Sequence, residues 1–234
     1  MRALKPTFFC IAVLLLAPGS ALYARTPPPS VYLTATSLPP ELLPPPPAEG
    51  SSEWKQNIEA VLEAQQHLLP ADLSATRDDQ KVRIEILTSA LGSDFTASRL
   101  PTTFHLLENV FNDTLGVTDV AKDYWHMRRS YLADRRVDLK IDPLHNSPSY
   151  PSGHTSSSRV LAEVLGLLLP EKRSVLRARA DAIARHRLEA GMHYPSDLEG
   201  GRLLAMLIVG ALTQDQKFQE DLTAARQELA RVKN

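Results

Sequence analysis

A short run of small and hydroxyl-bearing residues around one histidine is the first candidate for chemistry. Residues 149–155 read Ser-Tyr-Pro-Ser-Gly-His-Thr and lead out of a loop into a predicted helix. Gly153 permits close approach to the backbone, Ser152 adds a hydroxyl, and the first free N–H groups of the helix point at the preceding turn. These features are typical of an anion-binding site with His154 beside it. The same residues could also do no more than form the turn and cap the helix.

A second histidine stands just before another predicted helix, in residues 187–197. Pro195 and Ser196 mark the start of that helix, so His193 lies at its N-terminus, and Asp197 follows within reach of the imidazole. A carboxylate on one ring nitrogen fixes the tautomer and leaves the other nitrogen free as a nucleophile. Plain helix capping is the alternative interpretation of the same residues.

Two cations in residues 122–129 form the third element. Seven residues are close to two helical turns, so the spacing predicts Lys122 and Arg129 on one helix face, about 10.5 Å apart along the axis. Two such cations could hold the oxygens of a single anion. Charged residues on a solvated helix face are the alternative.

The three elements carry more information together than apart. In order along the chain they are Lys-x6-Arg, Pro-Ser-Gly-His and Arg-x5-His-x3-Asp. This combination resembles the three-part signature of the type-2 phosphatidic-acid phosphatase and vanadium haloperoxidase superfamily, and within it the bacterial class A non-specific acid phosphatases. The likeness extends to Leu-Pro-Pro-Pro-Pro-Ala-Glu-Gly at 43–50, to Gly-Arg at 201–202 and to the tail at 218–229.

The resemblance implies a role for each motif residue. His193 would attack phosphorus and form a phosphohistidine, Asp197 would orient it, and His154 would protonate the leaving alkoxide. The phosphoryl oxygens would be held by a further set, namely Lys122, Arg129, Ser152, Gly153 and Arg187. No metal or other cofactor is expected, the substrates would be small phosphate monoesters, and the pH optimum would be acidic.

The chain departs from the family pattern at two positions. Ser130 stands where the family usually has proline, and we expect it to let the helix continue past Arg129. His186 stands where the family usually has serine, and we interpret it as a surface histidine rather than a titratable group at the edge of the site. His126 and His145 are secondary candidates for the pocket, because each lies close to a motif in the sequence.

The elements that must position these residues are helical. Apolar residues recur at spacings of three and four from residue 51 onwards, and no convincing strand alternation occurs. The pattern predicts an all-α domain of about seven helices over 51–234, with a break at Gly116 and a long loop at 134–150. The helical stretches are 51–69, 72–91, 101–113, 118–133, 155–169, 171–190, 196–213 and 215–232.

The N-terminal region has a different composition. Residues 1–24 carry Arg2 and Lys5, then a ten-residue apolar stretch and small residues, which predicts a signal peptide cleaved after Ala21 or Ala24 and export to the periplasm. An uncleaved membrane anchor is the alternative. Residues 25–50 are rich in proline and should run as extended polyproline. We expect an arm laid over the domain and pinned by three leucines, Leu38, Leu42 and Leu43, although a disordered linker is the other interpretation.

Charge and cysteine content exclude several classes. Lys and Arg number 26 against 27 Asp and Glu, which argues against a generic nucleic-acid binder. The single cysteine, Cys10, excludes an internal disulfide framework. No segment after the signal pattern reaches 18 uninterrupted apolar residues, so we expect no stable membrane insertion. A homodimer is compatible with the resemblance.

Three other functions compete with the acid phosphatase prediction. A lipid or polyprenyl pyrophosphate phosphatase of the same superfamily is disfavoured by the lack of apolar spans. A vanadate-dependent haloperoxidase is disfavoured by the short chain, and a non-catalytic phosphate-binding protein by retention of both histidines and Asp197.

Overall fold

The structure is a computed structural model, and it describes residues 29–143 and 146–233. The predicted signal peptide at 1–24 and the candidate His145 lie outside these residues. The described chain is helical and contains no strand, so the predicted all-α class is confirmed. The α-helices are α1 Ser52–Gln66, α2 Pro70–Asp78, α3 Glu85–Thr88, α4 Pro101–Trp125, α5 Ser130–Ala133, α6 Gly153–Leu168, α7 Arg173–Glu189, α8 Pro195–Leu212 and α9 Gln216–Lys233. Short 3₁₀ turns lie at Pro40–Leu42, Ser89–Leu91 and Pro170–Lys172.

Helix α6 is the centre of the fold. It packs against α4, α7 and α8, and its residues Val160, Leu161 and Leu165 are fully buried. A helix with apolar residues on most of its circumference must be surrounded by other elements, which explains this central position. The N-terminus of α6 is thereby held among the ends of the helices that pack around it.

Two predicted helix boundaries are wrong. Helix α4 runs without a break through Gly116, whose Cα faces Ala35 of the N-terminal arm. A glycine within a helix costs only about 1 kcal/mol relative to alanine, which burial of neighbours such as Val110 and Val117 outweighs. The predicted helix at 72–91 is instead divided into α2, α3 and a 3₁₀ turn. Helix α2 ends before Asp79, whose side chain is buried in the interior.

The end of α4 also differs from expectation. The helix stops at Trp125, where His126 adopts a left-handed conformation with φ of 50°. Arg129 therefore does not lie on the same helix as Lys122, and the prediction of a shared helix face is wrong. Ser130 does not extend α4 either; it begins α5, and its buried hydroxyl donates to the carbonyl of Gly191 at 2.7 Å.

The described part of the proline-rich segment, residues 29–50, lies against the helices. The carboxylate of Asp113 on α4 accepts hydrogen bonds from three successive backbone N–H groups, those of residues 31–33, at 2.8–3.0 Å. Of the leucines expected to pin the arm, Leu43 is buried and Leu38 is partly buried. Leu42 is exposed and does not contribute.

Candidate active site

Four helix ends meet at the predicted site. Lys122 lies in the last turn of α4, Arg187 in the last turn of α7, His154 in the first turn of α6 and Asp197 in the first turn of α8. The backbone N–H of Ser152 donates to the carbonyl of Asp197 at 2.9 Å, which joins the starts of α6 and α8. Two helix N-termini therefore converge on one place, and their free N–H groups favour a bound anion there.

His193 and Asp197 form the pair that the sequence predicted. Nδ1 of His193 lies 3.0 Å from Oδ2 of Asp197, and both side chains are buried. The same carboxylate oxygen accepts from the Ser149 hydroxyl at 2.5 Å and from the N–H of Tyr194 at 3.0 Å. Burial raises the pKa of Asp197 to about 6, against the hydrogen bonds from Ser149 and Tyr194, which lower it. With Nδ1–H donated to Asp197, the lone pair of His193 is on Nε2.

Ser149 is a functional residue that sequence reasoning missed. It lies in the motif at residues 149–155, but nothing in the sequence spacing indicates a contact with the carboxylate of Asp197, 48 residues away. Its hydroxyl also lies 3.4 Å from Nδ1 of His193. Ser149 therefore supports the carboxylate that orients the candidate nucleophile.

Lys122 reaches the loop before α6. Its Nζ donates to the carbonyls of Pro148 and Ser149 at 2.7 and 3.0 Å, and the side chain is buried. Burial and then the neighbouring Arg129 lower the pKa of Lys122 to about 7. The ammonium is consequently charged in acidic solution.

Arg129 contacts the candidate nucleophile directly. Its Nη1 lies 2.7 Å from Nε2 of His193, and its other nitrogens donate to the carbonyl and hydroxyl of Ser147 at 2.9 and 3.0 Å. A guanidinium is always charged and can only donate, so Nε2 of His193 is the acceptor and the imidazole is neutral. Burial lowers the pKa of His193 well below its ordinary value, and Arg129, Lys122 and Arg187 lower it further.

Arg187 has unused hydrogen-bonding capacity. Its side chain is 3% exposed, and its buried Nε and Nη1 have no hydrogen-bond partner among the residues that the structure describes. Burial, with a smaller effect of Arg129, lowers its pKa to about 10, so it stays charged at neutral and acidic pH. Buried donors without partners are costly, and an anion would satisfy them.

Ser152 and Gly153 lie at the start of α6. The Ser152 hydroxyl accepts from the N–H and the hydroxyl of Thr155, at 3.4 and 3.0 Å, so this residue does cap the helix. A Cβ on Gly153 would lie 3.7 Å from the side chain of Lys122. The first turn of α6 and the Lys122 stem are thus in close contact.

His154 is held by a backbone carbonyl. Its Nε2 lies 3.0 Å from the carbonyl oxygen of Gln80, between α2 and α3. Burial and then Arg187 lower the pKa of His154 well below its ordinary value, while the bond to Gln80 raises it. The histidine is therefore neutral in the free protein until its cationic neighbours are compensated.

The expectation for His186 is wrong. Its side chain is buried, and Nδ1 lies 2.7 Å from Oδ2 of Asp79, which also binds Arg179. His126, by contrast, is exposed and lines a cavity of about 430 Å³ with Trp54 and Trp125. That cavity is lined by none of the predicted catalytic residues.

Neither a metal cluster nor a membrane span is found where the chain is described. Residues 29–143 and 146–233 contain no group of three or more His, Cys, Asp or Glu side chains that could hold a metal ion. Within the same residues no helix combines the length and the apolar character needed to cross a bilayer.

Comparisons with known proteins identify the family. Residues 104–221 match the model of the PAP2 superfamily, and the chain belongs to it. A non-specific acid phosphatase of Salmonella typhimurium is 27% identical over 197 residues, which is 80% of this chain and 78% of that protein. A non-specific acid phosphatase of Providencia stuartii is 29% identical over 206 residues, covering 82% and 81%. The predicted family is thereby confirmed, and the chain is a phosphatase of this superfamily.

A solved structure agrees on the fold. A bacterial vanadium-dependent iodoperoxidase superimposes with a TM-score of 0.56 at 16% identity, over 74% of this chain. This chain spans about half the length of that protein, 52% of it. The likeness concerns the helical architecture alone.

Proposed function

We propose that the protein is an acid phosphatase that hydrolyses small phosphate monoesters through a phosphohistidine on His193. One observation carries the proposal: two donor nitrogens of Arg187, which find no partner in residues 29–143 and 146–233, lie in a buried region that also holds Arg129, Lys122 and a neutral histidine. Buried cations that exceed the buried carboxylates are unfavourable until an anion binds. A phosphoryl group supplies that charge and accepts the donors.

The first chemical step transfers the phosphoryl group. The lone pair of His193 Nε2 forms a bond to phosphorus while the bond from phosphorus to the ester oxygen breaks. His154 gives its proton to the departing alkoxide, so a neutral alcohol leaves. Asp197 stabilises the positive charge that develops on the imidazole ring. The guanidinium and ammonium groups neutralise charge on the phosphoryl oxygens.

The second step releases phosphate. His154, now neutral, removes a proton from water as the water oxygen attacks phosphorus, and the bond from phosphorus to Nε2 breaks. The products are inorganic phosphate and free His193, and His154 is again protonated. In this proposal the positive charge comes from Lys122, Arg129 and Arg187, so no metal ion takes part.

The acidic optimum follows from the charge of the site. The cations that lower the pKa of His154 are compensated when a phosphate dianion binds, so the pKa of His154 rises in the complex. The proton needed by the leaving group is then available below neutral pH. At still lower pH, protonation of Asp197 removes the partner of His193, and the rate falls.

We also propose that the protein acts in the periplasm. The support is the charged, apolar and small-residue pattern of residues 1–24. Cell fractionation with N-terminal sequencing of the exported protein tests this, and retention of the full 234-residue chain in the cytoplasm would contradict it.

The activity is tested with purified wild type, His193→Ala and His154→Ala on an aryl phosphate between about pH 5 and pH 7. His67, an exposed histidine at the end of α1, provides the matched control as His67→Ala. We expect turnover by wild type and the control, loss of turnover in His193→Ala, and a lowered kcat in His154→Ala, because His154 also activates the water that releases phosphate. Equal activity in wild type and His193→Ala contradicts the mechanism. No turnover by any of these proteins favours a phosphate-binding protein.

A chelator should leave the rate of hydrolysis by wild type unchanged.

A further inference from the structure

A buried charged cluster lies outside the proposed catalytic set. Asp79, fully buried after the end of α2, binds Nη1 of Arg179 at 2.8 Å, Nη2 of the same guanidinium, and Nδ1 of His186 at 2.7 Å. The two partners are seven residues apart on α7, so they lie on one face two turns apart. Burial would raise the pKa of Asp79, but the bonds from His186 and Arg179 outweigh it and hold the pKa below its usual value. The cluster fixes the segment after α2 to α7.

The neighbours of this cluster in the sequence are residues of the site. Gln80, which follows Asp79, presents the carbonyl that contacts Nε2 of His154 at 3.0 Å. Arg187, two of whose donor nitrogens have no partner in the described part of the chain, follows His186. The side chain of Gln80 also donates to the carbonyl of Asp142 at 2.7 Å, which holds the same segment from the other side. Members of the cluster are therefore next in sequence to the residue that contacts the proposed acid and to one of the proposed phosphate ligands.

The contact with Gln80 determines which nitrogen of His154 exchanges its proton. A carbonyl oxygen can only accept, so Nε2 must carry hydrogen whether the ring is neutral or charged. Nδ1 is then the only nitrogen of the ring that gains and loses a proton. Displacement of the carbonyl would allow the other tautomer, in which the exchangeable proton is on the wrong side of the ring.

We propose that Asp79 is a positioning residue for the general acid: clamped by Arg179 and His186, it holds the Gln80 carbonyl on His154 so that Nδ1 delivers the proton to the leaving group. This inference rests on the proposed role of His154 as the acid. The contact between His186 and Asp79 is particular to this chain, because His186 stands where the resembled family usually has serine.

Other charged groups also affect the protonation of His154. Arg187 on α7, Arg129 before α5 and Lys122 on α4 all lower its pKa, and His154 in turn lowers the pKa of His193. None of these residues is changed in the test. The charge of Asp79 also acts on Arg187, so the tautomer of His154, rather than its pKa, is the readout that reports on the Gln80 contact.

The test compares Asp79→Asn with wild type on two substrates. Asparagine has no charge, and its NH₂ group replaces one of the two oxygens that hold the Arg179 guanidinium or His186, so the two-point clamp is broken and the remaining bonds are weaker. An alkyl phosphate needs the acid for its poor leaving group, whereas an aryl phosphate with an acidic phenol scarcely does. We expect kcat/KM for the alkyl phosphate to fall at least about tenfold and that for the aryl phosphate to fall less than about threefold.

The control is another buried carboxylate. Glu163 on α6 is clamped by Arg159 and Arg177 at 2.8 and 2.7 Å, and lies roughly 13 Å along the helix from His154. Glu163→Gln should reduce stability in a similar way but leave the alkyl-to-aryl ratio of kcat/KM unchanged. Equal falls for both substrates in Asp79→Asn would show a merely structural role and overturn the inference.

A spectroscopic readout is independent of turnover. In ¹⁵N-histidine-labelled protein at alkaline pH, with signals assigned by the loss seen in His154→Ala, we expect the Nε2–H tautomer in wild type and in Glu163→Gln. A mixture of tautomers is expected in Asp79→Asn. An unchanged Nε2–H tautomer in Asp79→Asn overturns the inference, even if the protein is inactive.

Removal of one member of a buried charged cluster can abolish folding, so a second pair of variants is included. His186→Gln keeps an N–H donor for Asp79 and should retain the tautomer and the substrate ratio, whereas His186→Ala should lose both in part. Identical behaviour of these two variants contradicts the inference. If His154→Ala itself fails to discriminate between alkyl and aryl phosphates, the proposed function fails instead.

Discussion

Nη1 of Arg129 donates a hydrogen bond to Nε2 of His193 at 2.7 Å. The group that should hold a phosphoryl oxygen thus covers the nitrogen that should attack phosphorus. Both side chains are buried, and Asp197 holds the opposite nitrogen of the ring. In the proposed mechanism, substrate binding moves this guanidinium from the imidazole to the phosphoryl group, which frees Nε2 of His193 to attack phosphorus.

Arg129→Ala should reduce kcat/KM by about 10²–10³-fold, because a charged donor aimed at the transferring group is lost. The neighbouring Arg128→Ala is the matched control. Arg128 is exposed and pairs with the half-exposed Glu49 at 3.2 Å, an interaction worth less than about 1 kcal/mol. Steady-state kinetics on an aryl phosphate measures both. Similar losses in the two variants would show that this arginine pair acts through general charge alone.

Ser149→Ala should move the acidic limb of the kcat/KM profile to higher pH. The Ser149 hydroxyl donates to Asp197 and lowers its pKa, which burial has raised to about 6. Without that bond the carboxyl protonates at higher pH, and His193 loses its ionised partner earlier as the solution is acidified.

The control for this prediction is Ser157→Ala. Ser157 is buried on α6, and its hydroxyl has no hydrogen-bond partner within the described part of the chain. Its pH profile should match wild type. An acidic limb that moves equally in both variants, or in neither, would remove the proposed role of Ser149.

Stability of the ligand-free protein should decrease as the pH falls from about 7 to 6. His154 and His193 have lowered pKa values in the folded state, whereas in the unfolded chain they titrate near 6.5. The unfolded state therefore binds more protons at both histidines in this window, and at Lys122, whose pKa is lowered to about 7. Asp197, whose pKa is raised to about 6, acts in the opposite direction but is one group against three, so the free energy of unfolding rises with pH. Each histidine contributes at most about 1.4 kcal/mol per pH unit.

Urea denaturation at pH 6 and 7 measures this slope, and inorganic phosphate provides the comparison. At a hundredfold excess over its Kd, phosphate should add about 2.7 kcal/mol and flatten the slope, because it raises both histidine pKa values. His154→Gln removes one of the two groups and should show a smaller slope. A slope of opposite sign in wild type contradicts the lowered histidine pKa values.

The local part of the site could be predicted from the sequence, and the long-range part could not. His193 with Asp197 and His154 with Ser152 each lie within one turn of a helix start, so spacing alone places them together. The partners of Asp79 are 100 and 107 residues away, and the contact of Ser149 with Asp197 spans 48. No periodicity encodes such contacts, so the burial of His186 against Asp79 is not visible in the sequence.

The helix boundaries show the same limit. Gly116 predicts a helix break, yet α4 continues through it to Trp125 because its neighbours are buried against other helices. Ser130 predicts that the preceding helix continues past Arg129. Instead its hydroxyl donates a hydrogen bond to the carbonyl of Gly191, and a new helix, α5, begins there. In both cases a contact from elsewhere in the chain outweighs the local preference.

Trapping of the covalent intermediate tests the central claim most directly. Wild type is mixed with a ³²P-labelled phosphate monoester, quenched in alkali within milliseconds and digested for peptide mapping. We predict an alkali-stable, acid-labile phosphoryl group on His193 that appears before free phosphate accumulates, and its absence in His193→Ala. Continued turnover without any label on His193, or the same label in His193→Ala, would contradict the phosphohistidine mechanism.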